Sequence, residues 1–229
     1  MDALECIRTR RSIRKYLDAP VEFDKIAAMI EAGARAPSAG DLQNWRFIIV
    51  TNESLIKSLY NVCLQQPCVY NAKVVIVICS LPEEGEKFYG VRGKRLYAVQ
   101  NCAAAAENML LTAHALGLGA NWVGAFDEDK VAEIFDIPKE ARPQVIITLG
   151  YPDEHPKAKL VKELAFITFF NRYGNKTEHM HLVLRDWSQE WPRYKRIIED
   201  GAGRRLKQVG KAIKNHAQKA REKREDKKK

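Results

Sequence analysis

The run KVVIVICS at residues 73–80 constrains this chain more than any other stretch, because it is apolar at nearly every position and lacks polar alternation. Such a run predicts a strand covered on both faces. A second apolar run, WRFIIV, spans residues 45–50, another spans 143–150, and a short one spans 120–124. Helical patterns separate them, at residues 2–9, 23–36, 53–62 and 96–116, with a further helix opened by Asp127. In the second of these, Phe23, Ile26, Ala27, Ile30 and Ala34 share one face, and Pro37 forces the stop. The helix at 96–116 carries four consecutive alanines at 103–106, which suit either a domain centre or a dimer interface, and His114 reads as a packing or capping residue. Strands and helices mixed in this way predict an α/β or α+β layered domain.

A chain of 229 residues is long enough for one domain and an appendage. Its net charge of +9 is uneven: residues 1–174 hold 21 basic and 21 acidic side chains, residues 175–229 hold 17 and 8. Any attraction to polyanions therefore belongs to the tail. The five cysteines are odd in number and form no CxxC pair. Cys79 and Cys102 are expected as buried small hydrophobes, and Cys63 and Cys68 as thiols that could pair or react, more simply as unremarkable ones. With no apolar leader and no run near the ~20 residues of a membrane span, a reduced, cytoplasmic protein is expected.

Three short stretches carry the candidate chemistry. In the loop that opens APSAGD, residues 36–40 contribute little bulk, and Pro37 and Gly40 permit turns that ordinary residues resist. Such a loop can lie against a flat ligand, or it can be an ordinary connection. The second stretch, RRSIRK at residues 10–15, gathers Arg10, Arg11, Arg14 and Lys15 around Ser12. Guanidinium forks and a hydroxyl suit a phosphate monoester, and a solvated charged turn is an equal alternative. The third, GLGANWVGA at 117–125, fails the dinucleotide fingerprint, since Trp122 stands at the third glycine and the glycines precede a strand. What remains is Gly124 and Ala125 between a strand and a helix, where N–H groups can face a ligand.

Residues 82–93, rich in Glu, Gly and Lys, predict a loop or a mobile lid. Residues 163–175, ELAFITFFNRYGN, predict an apolar strand or arm suited to a partner subunit. Beyond residue 180, Trp187, Trp191, Tyr194, Ile197 and Ile198 predict a docked helix, and Leu206, Val209, Ile213, Ala217 and Ala220 a basic helix with a frayed end. Aromatic residues do not interleave with these cations, so the nucleic-acid signal is weak. His179 and His181 read as loop histidines, and no metal site is expected.

Taken together, RRSIRKY at 10–16, APSAGDLQNWRF at 36–47, GLGANWVGAFDEDKV at 117–131 and QVIITLGYP at 144–152 resemble, in order and spacing, the nitroreductase family of flavoproteins. The resemblance implies an α+β, nitroreductase-like sandwich over residues 1–175, with a central mixed or antiparallel sheet flanked by helices. Residues 176–229 then form a basic, largely helical extension. It implies a homodimer with FMN bound at two sites built from both chains. NADH or NADPH would pass hydride through flavin N5 to a small acceptor: a nitroaromatic, quinone, enone or flavin.

By position, Arg10, Arg11, Ser12 and Arg14 match the family segment that holds the FMN phosphate and the ribityl and pyrimidine side. Lys159 lies near the place of a further phosphate cation. Pro37, Ser38, Ala39 and Gly40, with Asp41 and Gln43, match the loop that crosses to the other subunit's flavin. Val123, Gly124 and Ala125 match the segment whose backbone approaches flavin N5 and O4. Gly124 and Ala125 are thus expected to serve the reacting edge as an oxyanion hole does. Asp41 stands where many relatives have Asn, and Asn44 where they have Pro. An alternative reading makes the protein a redox sensor or binding protein whose basic C-terminal helix engages nucleic acid or an anionic surface.

Overall fold

Strand β2 (Val74–Ser80) is buried along its whole length, as its apolar run requires. Val74, Ile76 and Ile78 turn to one face of the sheet, and Val75, Val77 and Cys79 to the other. With β1 (Trp45–Val50), β3 (Gly119–Val123) and β4 (Arg142–Gly150) it forms a four-stranded sheet of order β1-β2-β4-β3. Every pairing is antiparallel, so the sheet is antiparallel rather than mixed. This computed structural model describes residues 1–176. The tail helices, Trp187, Trp191, Tyr194, His179 and His181 lie outside the described residues. The chain divides into two compact units, Met1–Lys159 and Leu160–Lys229.

Helices α2 (Phe23–Ala34) and α6 (Ala98–Ala115) cover the first face, burying Ile26, Met29, Cys102, Ala106 and Met109 against Ile76, Ile78 and Ile147. A Cβ at Gly33 would stand 2.3 Å from Met109 Cε, so the glycine lets α2 close onto α6. Helices α3 (Glu53–Val62), α4 (Pro67–Tyr70) and α7 (Glu128–Ile134) cover the second face through Ile56, Leu59, Val69 and Val131. Asn52 and Asp127 cap α3 and α7 by accepting backbone N–H groups of the first turn, which fixes where each helix starts. Helix α1 (Ala3–Thr9) lies along the C-terminal half of α6: Cys6 Sγ donates to Leu111 O (3.2 Å), and Thr9 Oγ1 lies 2.8 Å from His114 Nε2. His114 thus ties two helices together.

The loop expected at residues 82–93 and the strand alternative at residues 163–175 do not form. Residues 82–93 instead form helix α5 (Pro82–Arg92), which begins on a proline and two glutamates and bends at Gly90 (φ 57°, ψ −149°). Helix α5 buries only Gly85, which explains the missing apolar period. It is held instead by close backbone approach, since a Cβ at Gly93 would stand 2.1 Å from Gly85 O, and by Lys94, which pairs with Glu83 and Glu86. The chain re-enters α6 through a π-helical turn, Gly93–Tyr97. In the second unit, residues 163–175 form no strand. Helix α8 (Leu164–Ile167) is followed by turns in which Phe170 N donates to Asn175 O (2.9 Å) and the Phe169 and Tyr173 rings meet at 4.7 Å. Local hydrogen bonds satisfy a backbone that has no neighbouring strand among the described residues.

All five cysteines are free and buried. Burial pushes the Cys63 thiol up to about 12, which keeps it protonated and unreactive. Among the described residues, no helix is long and apolar enough to cross a membrane.

Candidate functional site

The arginine segment leaves α1 at Arg10 and runs along the outer edge of β3. Ile13 N donates to Ala120 O (3.0 Å), and Ser12 forms an isolated parallel bridge with Ala120. Gly119 permits this approach: a Cβ there would stand 2.7 Å from Ile13 Cγ2. The segment is pinned again after β4, where Leu17 N donates to Tyr151 O (2.9 Å) and Asp153 N to Lys15 O (3.0 Å). Buried Tyr16 locks the turn from below. Its hydroxyl donates to Ile13 O (2.6 Å) and lies 2.8 Å from Thr148 Oγ1, and burial holds it above the ordinary tyrosine pKa.

With the backbone committed to the sheet, the cations remain available. Arg10 Nε stands 3.8 Å from Glu107 Oε1, too long for a hydrogen bond. Arg11 donates only to the carbonyls of Arg8 and Arg10. The Arg14, Lys15 and Ser12 side chains make no hydrogen bond or ion pair with another described residue. Guanidinium groups and a hydroxyl on a rigid backbone are a donor set suited to a phosphate.

At its far end β3 leaves the sheet after the Val123–Ile146 pair, and Val123 is buried. Gly124 and Ala125, both exposed, follow before Asp127 caps α7. Ala125 O accepts from Gln66 Nε2 (3.0 Å), whereas neither N–H of the pair donates to another described residue. Two adjacent free donors at a strand end suit an anionic or carbonyl edge of a ligand.

The loop after α2 is built differently. Gly40 (φ 57°), Asp41 (φ 54°) and Gln43 (φ 47°) all adopt left-handed backbone, which costs the two non-glycine residues energy that surrounding contacts must offset. Ser38 Oγ accepts from Gln43 N (3.1 Å), and Asp41 Oδ1 accepts from Gln43 Nε2 (2.8 Å). The carboxylate found in place of the family's Asn is thus engaged within the loop. A Cβ at Gly40 would stand 2.3 Å from the Tyr89 hydroxyl, so glycine makes room for α5. From below, Asn101 Oδ1 accepts from Ala39 N (3.0 Å), and Asn101 Nδ2 donates to Asn44 Oδ1 (2.8 Å).

Within one chain, the arginine segment and Gly124–Ala125 share strand β3, while the loop rests on the first turns of α6 at Asn101. No hydrogen bond or ion pair joins the loop to the other two among the described residues. Lys159 is exposed at the end of the first unit and contacts neither by such a bond. Two surface grooves of about 650 and 630 Å³ lie elsewhere, the first beside Asp18, Tyr70 and Lys73, the second beside Glu86, Lys94 and Arg142. Sequence reasoning missed Asn101 and Tyr89. The one signal for Asn101 is a polar residue interrupting the buried face of an alanine-rich helix, and Tyr89 carries none.

The Nitroreductase family model matches residues 7–69 and 61–151, which hold every candidate residue except Lys159. A Methanothermobacter thermautotrophicus protein, named as a candidate NADH dehydrogenase/NAD(P)H nitroreductase, is 41% identical over 160 residues, 68% of this chain and 80% of its own. A Thermus thermophilus NADH dehydrogenase is 31% identical over 192 residues, 71% of this chain and 94% of that one. Among solved structures, an FMN-dependent nitroreductase from Clostridium difficile R20291 superposes with a TM-score of 0.65 at 27% identity, over 74% of this chain and 99% of that one. Motifs, sheet order and these matches agree that the chain belongs to the nitroreductase family.

Proposed function

We propose that this protein is an FMN-dependent oxidoreductase that passes hydride from NADH or NADPH to a small organic acceptor: a nitroaromatic, a quinone, an enone or free flavin. The observation that carries this reading is the layout of β3. Ser12 bridges Ala120, and Gly124 lies four residues further along, ~13 Å at ~3.3 Å per residue. A ligand with an anionic head, a flexible chain and a polar ring edge spans those two points, and FMN has that form. The names of the relatives, an FMN-dependent nitroreductase among them, support the same cofactor and NAD(P)H as co-substrate.

Bound FMN supplies the hydride chemistry, and the protein supplies position and field. Arg10, Arg11, Ser12 and Arg14 bind and orient the phosphate, with Lys159 as a further cation. Gly124 and Ala125 donate to the N5 and O4 edge, where negative charge develops, while Val123 anchors the end of the strand. Pro37, Ser38, Ala39, Gly40, Asp41 and Gln43, which match the family loop that crosses between subunits, would present backbone to the flavin of a partner chain. The working form is therefore a homodimer with two shared sites. In this reading residues 1–175, the first compact unit with the start of the second, form the FMN-binding domain and residues 176–229 the basic extension.

Purified protein will show a flavin spectrum that bleaches under anaerobic addition of NADH or NADPH and returns with a quinone or nitroaromatic. Colourless protein that takes up no added FMN overturns the reading.

A further inference from the structure

Two side-chain amides beneath the left-handed loop form a relay with only one possible direction. At one end Leu81 O, which can only accept, takes a hydrogen bond from Asn44 Nδ2 (3.1 Å). That orientation turns Asn44 Oδ1 toward Asn101, so the Asn101 group facing it must be the donor Nδ2, at 2.8 Å. Asn101 Oδ1 is then left facing Ala39 N, which can only donate, at 3.0 Å. Backbone groups at both ends fix both amides, and a flip of either would set acceptor against acceptor or donor against donor. Both side chains are nearly inaccessible, Asn44 at 0% and Asn101 at 4% exposure, so water offers no substitute partner.

The relay joins two elements that meet again above it. Ala39 opens the run that contains Gly40, Asp41 and Gln43, all with positive φ. Leu81 immediately precedes α5 and returns its own N–H to Asn44 O (2.8 Å). Helix α5 carries Tyr89, whose hydroxyl lies against Gly40. Loop and helix root are thus braced from one buried pair. A loop of this kind needs such a brace, because its backbone is not the conformation its non-glycine residues would choose.

We propose that Asn101 and Asn44 are positioning residues of the flavin site: a two-amide relay that holds the 39–43 loop in its flavin-facing conformation and ties it to the root of α5. The inference rests on the functional reading above, in which that loop faces the flavin. The relay touches no reacting atom and acts through the Ala39 backbone.

The test uses full-length protein stripped of FMN and titrated with FMN by flavin fluorescence. Hydrogen exchange of the peptide covering residues 38–44 is followed in the apo protein. Asn101→Leu is expected to raise the FMN dissociation constant at least about tenfold, to shift the spectrum of the bound flavin, and to speed exchange of the loop peptide about tenfold. Asn44→Leu should do the same, and the double variant should be no worse than the worse single one, since either breaks one relay. If Asn101→Leu does not fold, Asn101→Ser packs more readily but is too short to reach both partners, and the same losses are expected. Ile56→Val, buried in α3, controls for stability alone: it should lower the melting temperature and leave FMN affinity within about twofold.

An Asn101 variant that melts early yet binds FMN within about twofold of wild type, with an unshifted spectrum, overturns the proposal, as do additive losses in the double variant. Wild-type protein that binds no FMN overturns the functional reading instead. In that case loop exchange still judges the relay, and unchanged exchange in Asn101→Leu rejects it.

Discussion

The arginine segment and the left-handed loop are both candidate ligand-binding stretches, yet they are held by opposite means. Residues 10–16 take their path from the sheet: Ile13 pairs with Ala120, Leu17 with Tyr151, Lys15 with Asp153. The side chains of Ser12, Arg14 and Lys15 are left free for other work, while Ile13 and Tyr16 are buried beneath the segment. The loop has no sheet to follow; beyond the two backbone bonds of its own short turn it depends on side chains, with Ser38, Asp41, Asn44 and Asn101 each committed to a hydrogen bond. A segment held by backbone should tolerate loss of its functional side chains, whereas one held by side chains should change shape when they are lost.

Five substitutions, one of them a second-site test, bear on this contrast. Gly119→Val should have the largest effect. Its Cβ meets Ile13 at 2.7 and 2.8 Å on two atoms of a side chain that is itself buried, so the arginine segment must leave the edge of β3. A loss of ~3 kcal/mol is expected in urea unfolding, together with weakened FMN binding. Gly40→Ala comes next, at ~2 kcal/mol, combining left-handed backbone with contact against the Tyr89 hydroxyl. Because that hydroxyl is the far end of a flexible side chain, Tyr89→Phe in the same background should restore part of the loss, measured by the unfolding midpoint.

Arg10→Ala should sharpen the comparison from the other side. FMN affinity is expected to fall about tenfold, ~1.4 kcal/mol, while the melting temperature stays near wild type, because no backbone bond depends on that guanidinium. A large drop in melting temperature would show that the segment relies on its side chains after all.

Tyr16→Phe removes the lock beneath the same segment and should cost ~1 kcal/mol. It should also alter the alkaline limb of stability. Burial keeps the Tyr16 proton in the folded state above pH 10, whereas the unfolded phenol releases it near 10. The folded state then binds more protons, and stability falls as pH rises past 10. The variant should lose that contribution in urea titrations at pH 9 to 11. It should keep the part due to the buried thiols of Cys63, Cys79 and Cys102, pushed by burial to about 12, 11 and 12.

Much of the fold was legible because it follows from local pattern. Strand β1 and helix α3 begin and end where their apolar period and caps place them, and the full burial of β2 follows from its composition. The candidate arginines, the small-residue loop and Gly124 were legible for a similar reason, since each is a compact stretch with its own chemistry. Helix α5 was not, because backbone approach between Gly85 and Gly93 holds it and leaves no periodic trace. Nor was the relay, whose members stand 57 residues apart and gain meaning only when both are buried face to face.

By itself, then, the sequence determined which stretches become strands and helices, which faces they bury, and which residues carry cationic and small-residue chemistry. These depend on neighbours a few positions away, through side-chain period, capping and turn preference. Only the tertiary structure decided that Ser12 and Gly124 lie along one strand, β3, that the loop is braced by Asn101 of α6, and that two buried amides have a single allowed orientation. Those outcomes depend on hydrogen-bond partners that packing brings together from distant parts of the chain, where burial removes water as an alternative and makes each pairing obligatory.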